Sequence, residues 1–261
     1  MAVAHVSARD PRISALLSAR NTPPGTLLAE GDWAHRCLLD AGGDIEVFVQ
    51  CPELLTDGSR ELAGTVSRRA RSAFAVSAKT YARISRRNRS SGLASLVRLP
   101  GWRAGDGTIG GRRVDDGTVV LVADGIEYAS NLGALVRVVD ASGAQALILT
   151  GRRARVEHPE VFTASRGTVL TTPVVDLGAP REAAAWLARH GFAVYLALPG
   201  AREHFRDRPR GGRPTAIVVG SEGEGVAPEW REVPHHPVSI PMRGRADSLN
   251  VAVAAGVLLF G

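Results

Sequence analysis

From Thr118 onward the chain alternates unbroken apolar runs with amphipathic ones, and this rhythm limits the possible folds more than any other feature. TVVLVADGI is almost continuously apolar, the pattern of a strand buried on both faces. NLGALVRVVDASG follows it, with Leu132, Leu135, Val136 and Val139 on one helical face. ALILTG reads as a strand, HPEVFTASRG as a short helix and TTPVVDL as a strand. REAAAWLARHG reads as a helix closed by Gly191, and FAVYLALPG as the next strand. TAIVVGSE and VSIPM add two strands, and SLNVAVAAGVLLF ends the chain as a helix. Alternating strand and helix predict an α/β domain, a parallel sheet with helices on both faces. Ligand sites in such sheets lie outside the carboxyl ends of the strands.

The first hundred residues have a less regular rhythm. Residues 1–25 are polar and end in NTPPG. After Thr26, the spacing of Leu28, Trp33, Cys37 and Leu38 predicts one helical face, which Gly42 and Gly43 stop. Ile45 to Val49 alternates as a strand, SRELAGTVSRRA reads as a helix, and FAVSAKTYARISRR as a strand followed by a helix. GLASLVRLP is a strand ended by Pro100. Residues 1–100 therefore read as a small α/β domain, 101–117 as a linker rich in Gly and charge, and 118–261 as the parallel-sheet domain.

The net charge of +6 rests almost entirely on arginine, since Lys79 is the only lysine. Arginine binds phosphate bidentately and stacks on bases, which lysine does not. Arg68, Arg69, Arg71, Lys79, Arg83, Arg86, Arg87 and Arg89 lie close together. They form either a solvated helix face or a phosphate-binding surface for nucleic acid. Phe74 and Tyr81, interleaved with them, could stack on bases but read as core. Two cysteines, Cys37 and Cys51, make no disulfide framework, so a reducing cytoplasmic compartment is expected. No apolar run is long enough to span a bilayer, the N-terminus lacks the apolar core of a secretory signal, and no metal site is expected.

Three motifs stand at strand ends in the parallel-sheet domain. In Asn131-x-Gly133-x-x-x-Arg137, Asn131 is placed to cap a helix, and the bland reading is a capped helix with one exposed arginine. In Gly220-Ser221-Glu222-Gly223-Glu224-Gly225 a strand runs into a glycine-rich loop. The loop is either a flexible turn or a backbone cradle for an anion or an adenosine. It is neither GxGxxG nor a P-loop, which speaks against a dinucleotide-dependent enzyme. In Ser239-Ile240-Pro241-Met242, Pro241 removes a ladder donor, which suits a strand that ends at a ligand. In Ser248-Leu249-Asn250, Ser248 is expected to cap the last helix and Asn250 to lie in its first turn.

Taken together, NLGALVR, VVGSEGEGV, SIPM and SLNVAVAA resemble the SpoU (TrmH-like) branch of the SPOUT RNA methyltransferases. The resemblance covers Val119 to the C-terminus closely. It reaches the N-terminal part more weakly, through LLAEG and SSGLASLV. Arg166, within TASRGTVLTTPVV, is similar to the 23S rRNA methyltransferases that confer thiopeptide resistance. The resemblance implies a deep trefoil knot in the C-terminal domain, a homodimer, and S-adenosylmethionine (SAM) as cofactor. It also implies transfer of a methyl group to a ribose 2′-hydroxyl in tRNA or rRNA; 23S rRNA is the expected substrate, with a tRNA 2′-O-methyltransferase or a catalytically silent RNA-binding protein of the same fold as the alternatives. By matching positions, Asn131, Arg137, Glu222, Ser248 and Asn250 form the implied catalytic set. Leu198, Gly220, Ser221, Glu222, Ile240, Met242, Ser248 and Leu249 would hold the cofactor. Arg86, Arg87, Arg89, Arg137 and Arg166 would contact RNA. The chain stops at Phe260-Gly261, where the family usually continues its last helix, so either a shortened dimer contact or a trimmed sequence is expected.

Overall fold

Seven strands, all paired in parallel, build the sheet that carries the three motifs. The computed structural model describes residues 3–17, 23–85, 91–208, 211–221 and 223–261. The chain divides into two compact units, Met1–Gly101 with Glu157–Leu170, and Trp102–Val156 with Thr171–Gly261.

The first unit contains β1 (Ala4–His5), α1 (Ser14–Leu17), β2 (Thr26–Glu30), α2 (Asp32–Asp40) and β3 (Asp44–Gln50). It continues with α3 (Asp57–Arg69), β4 (Ser72–Ala75), α4 (Ala78–Ile84) and β5 (Leu93–Arg98). Its sheet has the order β1-β4-β3-β5-β2. Leu28 is a strand residue, not part of the helical face predicted with Trp33, Cys37 and Leu38. Pairing decides this: β2 runs antiparallel to β5 with Leu28 opposite Leu96. Gly31, at φ +89°, then breaks strand from helix in a conformation that favours glycine. Phe74 and Tyr81 are buried, and the Tyr81 hydroxyl donates to the Leu93 carbonyl at 2.8 Å.

The second unit opens with three short strands, β6 (Ala104–Gly105), β7 (Thr108–Ile109) and β8 (Arg112–Arg113), in the stretch expected as a linker. Ile109 is fully buried there, with Trp102, Ala104 and Val114 packed around the same core. The parallel strands and their helices follow: β9 (Val119–Asp124), α5 (Ala129–Ser142) and β10 (Ala146–Thr150). After α6 (Pro159–Ala164), which belongs to the first unit, come β11 (Val174–Asp176), α7 (Pro180–Arg189), β12 (Ala193–Ala197) and β13 (Glu203–His204). The chain ends with β14 (Thr215–Val219), β15 (His236–Ser239) and α8 (Val251–Phe260). Across the sheet the order is β11-β10-β9-β14-β12-β15-β13. The central strands are buried on both faces, which is why their sequences are unbroken apolar runs.

Two helix starts differ from expectation. Asn131 is the third residue of α5, whose N-cap is Tyr128. The last helix begins at Val251 and is capped by Asn250, whose Oδ1 accepts the Ala252 N–H at 3.0 Å. Ser248 lies two residues before the cap and donates its hydroxyl to Asp247 instead, at 3.0 Å. Either Ser or Asn can cap, and the extended backbone at Asn250 settles which does. No described helix is long and apolar enough to cross a membrane. No described cluster of His, Cys, Asp and Glu could hold a metal ion.

Candidate functional site

The loops that follow β12, β14 and β15 enclose a cavity of about 620 Å3 with the start of α8. Its size is that of a small-molecule site. Leu198 enters from the end of β12, Gly220 and Ser221 from the end of β14, and Ile240 and Met242 from just past β15. Ser248 and Leu249 close it from the approach to α8. Val219, Val238, Glu224 and Asp247 also line it, and none of these four stood in the cofactor set carried over from the sequence. β15 ends at Ser239, so Pro241 lies beyond the ladder and costs no strand hydrogen bond.

The glycine-rich loop has a defined shape. Ser221 and Gly225 exchange backbone hydrogen bonds at 3.1 and 3.0 Å, and the Ser221 Oγ accepts the Glu224 N–H at 3.2 Å. A Cβ on Gly220 would lie 2.0 Å from the Gly225 carbonyl carbon and 2.3 Å from the Val226 nitrogen. Glycine is required here because backbone crosses backbone. Gly225, at φ +68°, completes the turn.

Beside the cavity, the ends of α5 and α8 meet. Asn250 Nδ2 donates to Asn131 Oδ1 at 3.0 Å. Because the Asn250 carbonyl oxygen is already used as the cap, only its amide nitrogen can face Asn131. Arg137 stands further along α5, exposed, on the side opposite the buried face. It makes no hydrogen bond or ion pair with any described residue. Glu222, Arg86, Arg87 and Arg89 lie outside the described residues.

Residues 118–260 match the family described as SpoU rRNA Methylase. The chain belongs to that family. Among curated relatives it is similar to the 23S rRNA (uridine(2479)-2'-O)-methyltransferase of Streptomyces viridochromogenes, 34% identical over 140 residues. That alignment covers 50% of this chain and 47% of the relative. The chain spans about half the length of the curated relatives it matches. Among solved structures, an RNA 2'-O ribose methyltransferase aligns at TM-score 0.76 and 29% identity, over 98% of this chain and 96% of that one. The fold is also shared with the SpoU methyltransferase AviRb from Streptomyces viridochromogenes, solved in complex with AdoMet. There the TM-score is 0.81 and the identity 23%, over 97% of this chain and 96% of that one.

In this SpoU family member two groups that sequence reasoning missed tie the loops together. Asp124, buried at the end of β9, accepts the Thr150 hydroxyl at 2.8 Å with one oxygen and the Ala227 N–H at 2.7 Å with the other. A lone acid ending an apolar run was the available signal, since a buried carboxylate must find donors. Arg153, just past β10, donates to Glu127 and, at 2.6 Å, to Glu224. The Glu224 and Glu127 carboxylates raise its guanidinium pKa above the ordinary arginine value.

Arg166 belongs to the first unit. Its guanidinium lies 4.8 Å from the centre of the Trp33 ring. It is the one non-glycine residue at positive φ, +56°, among those described, a conformation that costs energy and often marks a working position. The basic cluster is divided in its described part: Arg71 grips Asp44 with two bonds at 2.9 and 2.5 Å, whereas Arg69, Lys79 and Arg83 have no described side-chain partner.

Proposed function

We propose that this chain is a SAM-dependent RNA methyltransferase that modifies a ribose 2′-hydroxyl, with 23S rRNA as substrate. The observation that carries the reading is the cavity at three strand ends beside the joined Asn131 and Asn250. The family membership and the 23S rRNA relative favour this chemistry over other uses of the fold.

The residues present fit the cofactor. Leu198, Val219, Ile240 and Leu249 offer apolar walls for an adenine, and the loops bring backbone groups within reach. Glu224 and Asp247 are the charged groups among the described lining residues, and no basic side chain stands with them. That sign suits a ligand bearing a sulfonium and an ammonium. When bound, SAM supplies a methyl group already activated by positive sulfur.

The chain's own task is then to orient the 2′-oxygen and dispose of its proton. Orientation alone can contribute about 7–11 kcal/mol in favourable cases. Asn131 and Asn250 hold the two helix ends that frame the site. Arg137 grips the phosphate and ribose next to the target through its planar fork. A guanidinium stays protonated in proteins and is a poor general base. The proton leaves to a phosphate oxygen or to water. Glu222 and Ser248 have the role of positioning Arg137 in this reading.

Arg86, Arg87, Arg89 and Arg166 serve as RNA contacts in this reading, supported by the density of arginine around residues 68–89. The protein acts as a homodimer. Support comes from α8, which is apolar on every side and leaves Val253 and Phe260 exposed at 53% and 61%. The trefoil knot expected of the family is part of the same proposal, supported by the family match over residues 118–260. Two free thiols suit a cytoplasmic setting.

The test is methylation of rRNA and tRNA by the purified protein with labelled SAM, the modified nucleotide being located by mass spectrometry. A 2′-O-methyl in 23S rRNA is expected, and Arg137→Lys should abolish most of it. Modification of tRNA alone would reassign the substrate, and no transfer with intact RNA binding would make the chain a binding protein. Full activity in Arg137→Lys would remove the fork from the mechanism. Growth on a thiopeptide antibiotic, with and without the gene, tests the resistance role.

A further inference from the structure

Glu127, Arg153 and Glu224 come from three loops that follow β9, β10 and β14. Those strands are neighbours, with β9 between the other two. Their ends are level: Asp124 lies opposite Thr150, and Ala123 opposite Val219. A single guanidinium therefore spans all three strand ends, one nitrogen on Glu127 and the other on Glu224 at 2.6 Å. Glu224 also lines the cavity.

Beneath this ion pair, buried Asp124 joins the same three strand ends through Thr150 and Ala227. Asp124 anchors the returning half of the loop at residue 227. It does not reach the tip at Gly223 and Glu224. The tip holds two glycines, at 223 and 225, whose positions have open space around them. Small residues of this kind do not fix a loop by packing. Within the described residues, the tip's side-chain tether to the rest of the sheet is Arg153.

We propose that Arg153 is a positioning residue that latches the tip of the glycine-rich loop and so sets where Glu224 stands in the cavity. The proposal rests on the reading of that cavity as the SAM site. It carries a pattern that ordinary surface pairing lacks. Glu127 and Glu224 are like charges held together by Arg153, so removing the arginine leaves two carboxylates that repel. Removing the Glu224 charge leaves Arg153 paired with Glu127. Loss of Arg153 must therefore disturb the loop more than loss of the Glu224 charge does. Removing both must return the loop toward the milder state.

The experiment is amide hydrogen exchange at Ser221 and Gly225, whose N–H groups close the loop on each other. It is run on the full chain without ligand, for wild type, Arg153→Ala, Glu224→Gln and the double variant. Arg152→Ala serves as the charge control, because Arg152 pairs with Asp176 at 3.2 Å and not with the loop. Arg153→Ala should speed exchange about two- to five-fold, the range expected when a surface pair is lost. Glu224→Gln should do less, the double variant should resemble Glu224→Gln, and Arg152→Ala should match wild type. High salt should narrow these differences. Equal exchange in Arg153→Ala and wild type overturns the latch, as does an equal effect of Arg152→Ala. SAM calorimetry on the same proteins reads the consequence: weaker binding in Arg153→Ala in the same order as the exchange rates. Should wild type bind no SAM, the cofactor reading fails while the exchange result still decides the latch.

Discussion

Asn250 Nδ2 donates to Asn131 Oδ1 at 3.0 Å, across 119 positions of sequence. The Asn250 carbonyl oxygen meanwhile caps α8 through Ala252. One side chain therefore both starts the last helix and ties it to α5, against which α8 packs. The two roles separate by substitution. Asn250→Ala should cost about 1 kcal/mol more in chemical denaturation than Asn131→Ala, because only the first removes a helix cap. Both should lower methyl transfer. A stability loss no larger in Asn250→Ala than in Asn131→Ala would contradict the cap.

Gly220 tests how closely the loop backbone crosses itself. The added methyl of Gly220→Ala has nowhere to go, with the Gly225 and Val226 backbone 2.0–2.3 Å from its Cβ. The loop must shift, and SAM affinity measured by calorimetry should fall by about tenfold or more, equal to about 1.4 kcal/mol. Gly58→Ala, at a glycine with open space around it and no positive φ, should leave SAM affinity unchanged.

Asp124 should behave as a buried acceptor. Asp124→Ala strands the Ala227 N–H and the Thr150 hydroxyl, and the expected loss is about 2–3 kcal/mol of stability. Asp124→Asn keeps the shape and one acceptor, so it should lose less. Denaturant unfolding of the three proteins reads the order directly.

His35 gives the first unit a pH-dependent stability. Its Nδ1–H donates to the Gly31 carbonyl at 2.8 Å, and its Nε2 accepts the Ser95 hydroxyl at 2.9 Å. Burial lowers its pKa to about 4 from 6.5. The folded state therefore holds the ring neutral, and the unfolded chain binds the proton more readily. The contribution is complete above pH 6.5 and is lost progressively as pH falls toward 4. The full shift is worth on the order of 3 kcal/mol. Thermal melting between pH 7 and 4 should show a falling midpoint, with a shallower slope in His35→Gln.

Much of the second unit was legible because a strand buried on both faces needs apolar residues at every position. β9, β12 and β14 are such runs, and their order along the chain already implied a parallel sheet. The small polar loops at their ends were legible as punctuation, and Gly220, Pro241 and Ser248 all line the cavity. Leu28 was misread because TLLAEGDW has no period of its own, and only pairing with β5 makes it a strand. Ser248 and Asn250 were exchanged as cap candidates because both side chains can accept from a helix start.

What the sequence determined by itself is local: which segments are apolar, with which period, and where small or polar residues interrupt them. Those features follow from burial and backbone geometry within a few residues. The tertiary structure decided which distant groups meet. Asp124 finds Ala227, Arg153 finds Glu127 and Glu224, and Asn131 finds Asn250. Each of these bonds joins groups with many possible partners, and the strand order alone selects among them.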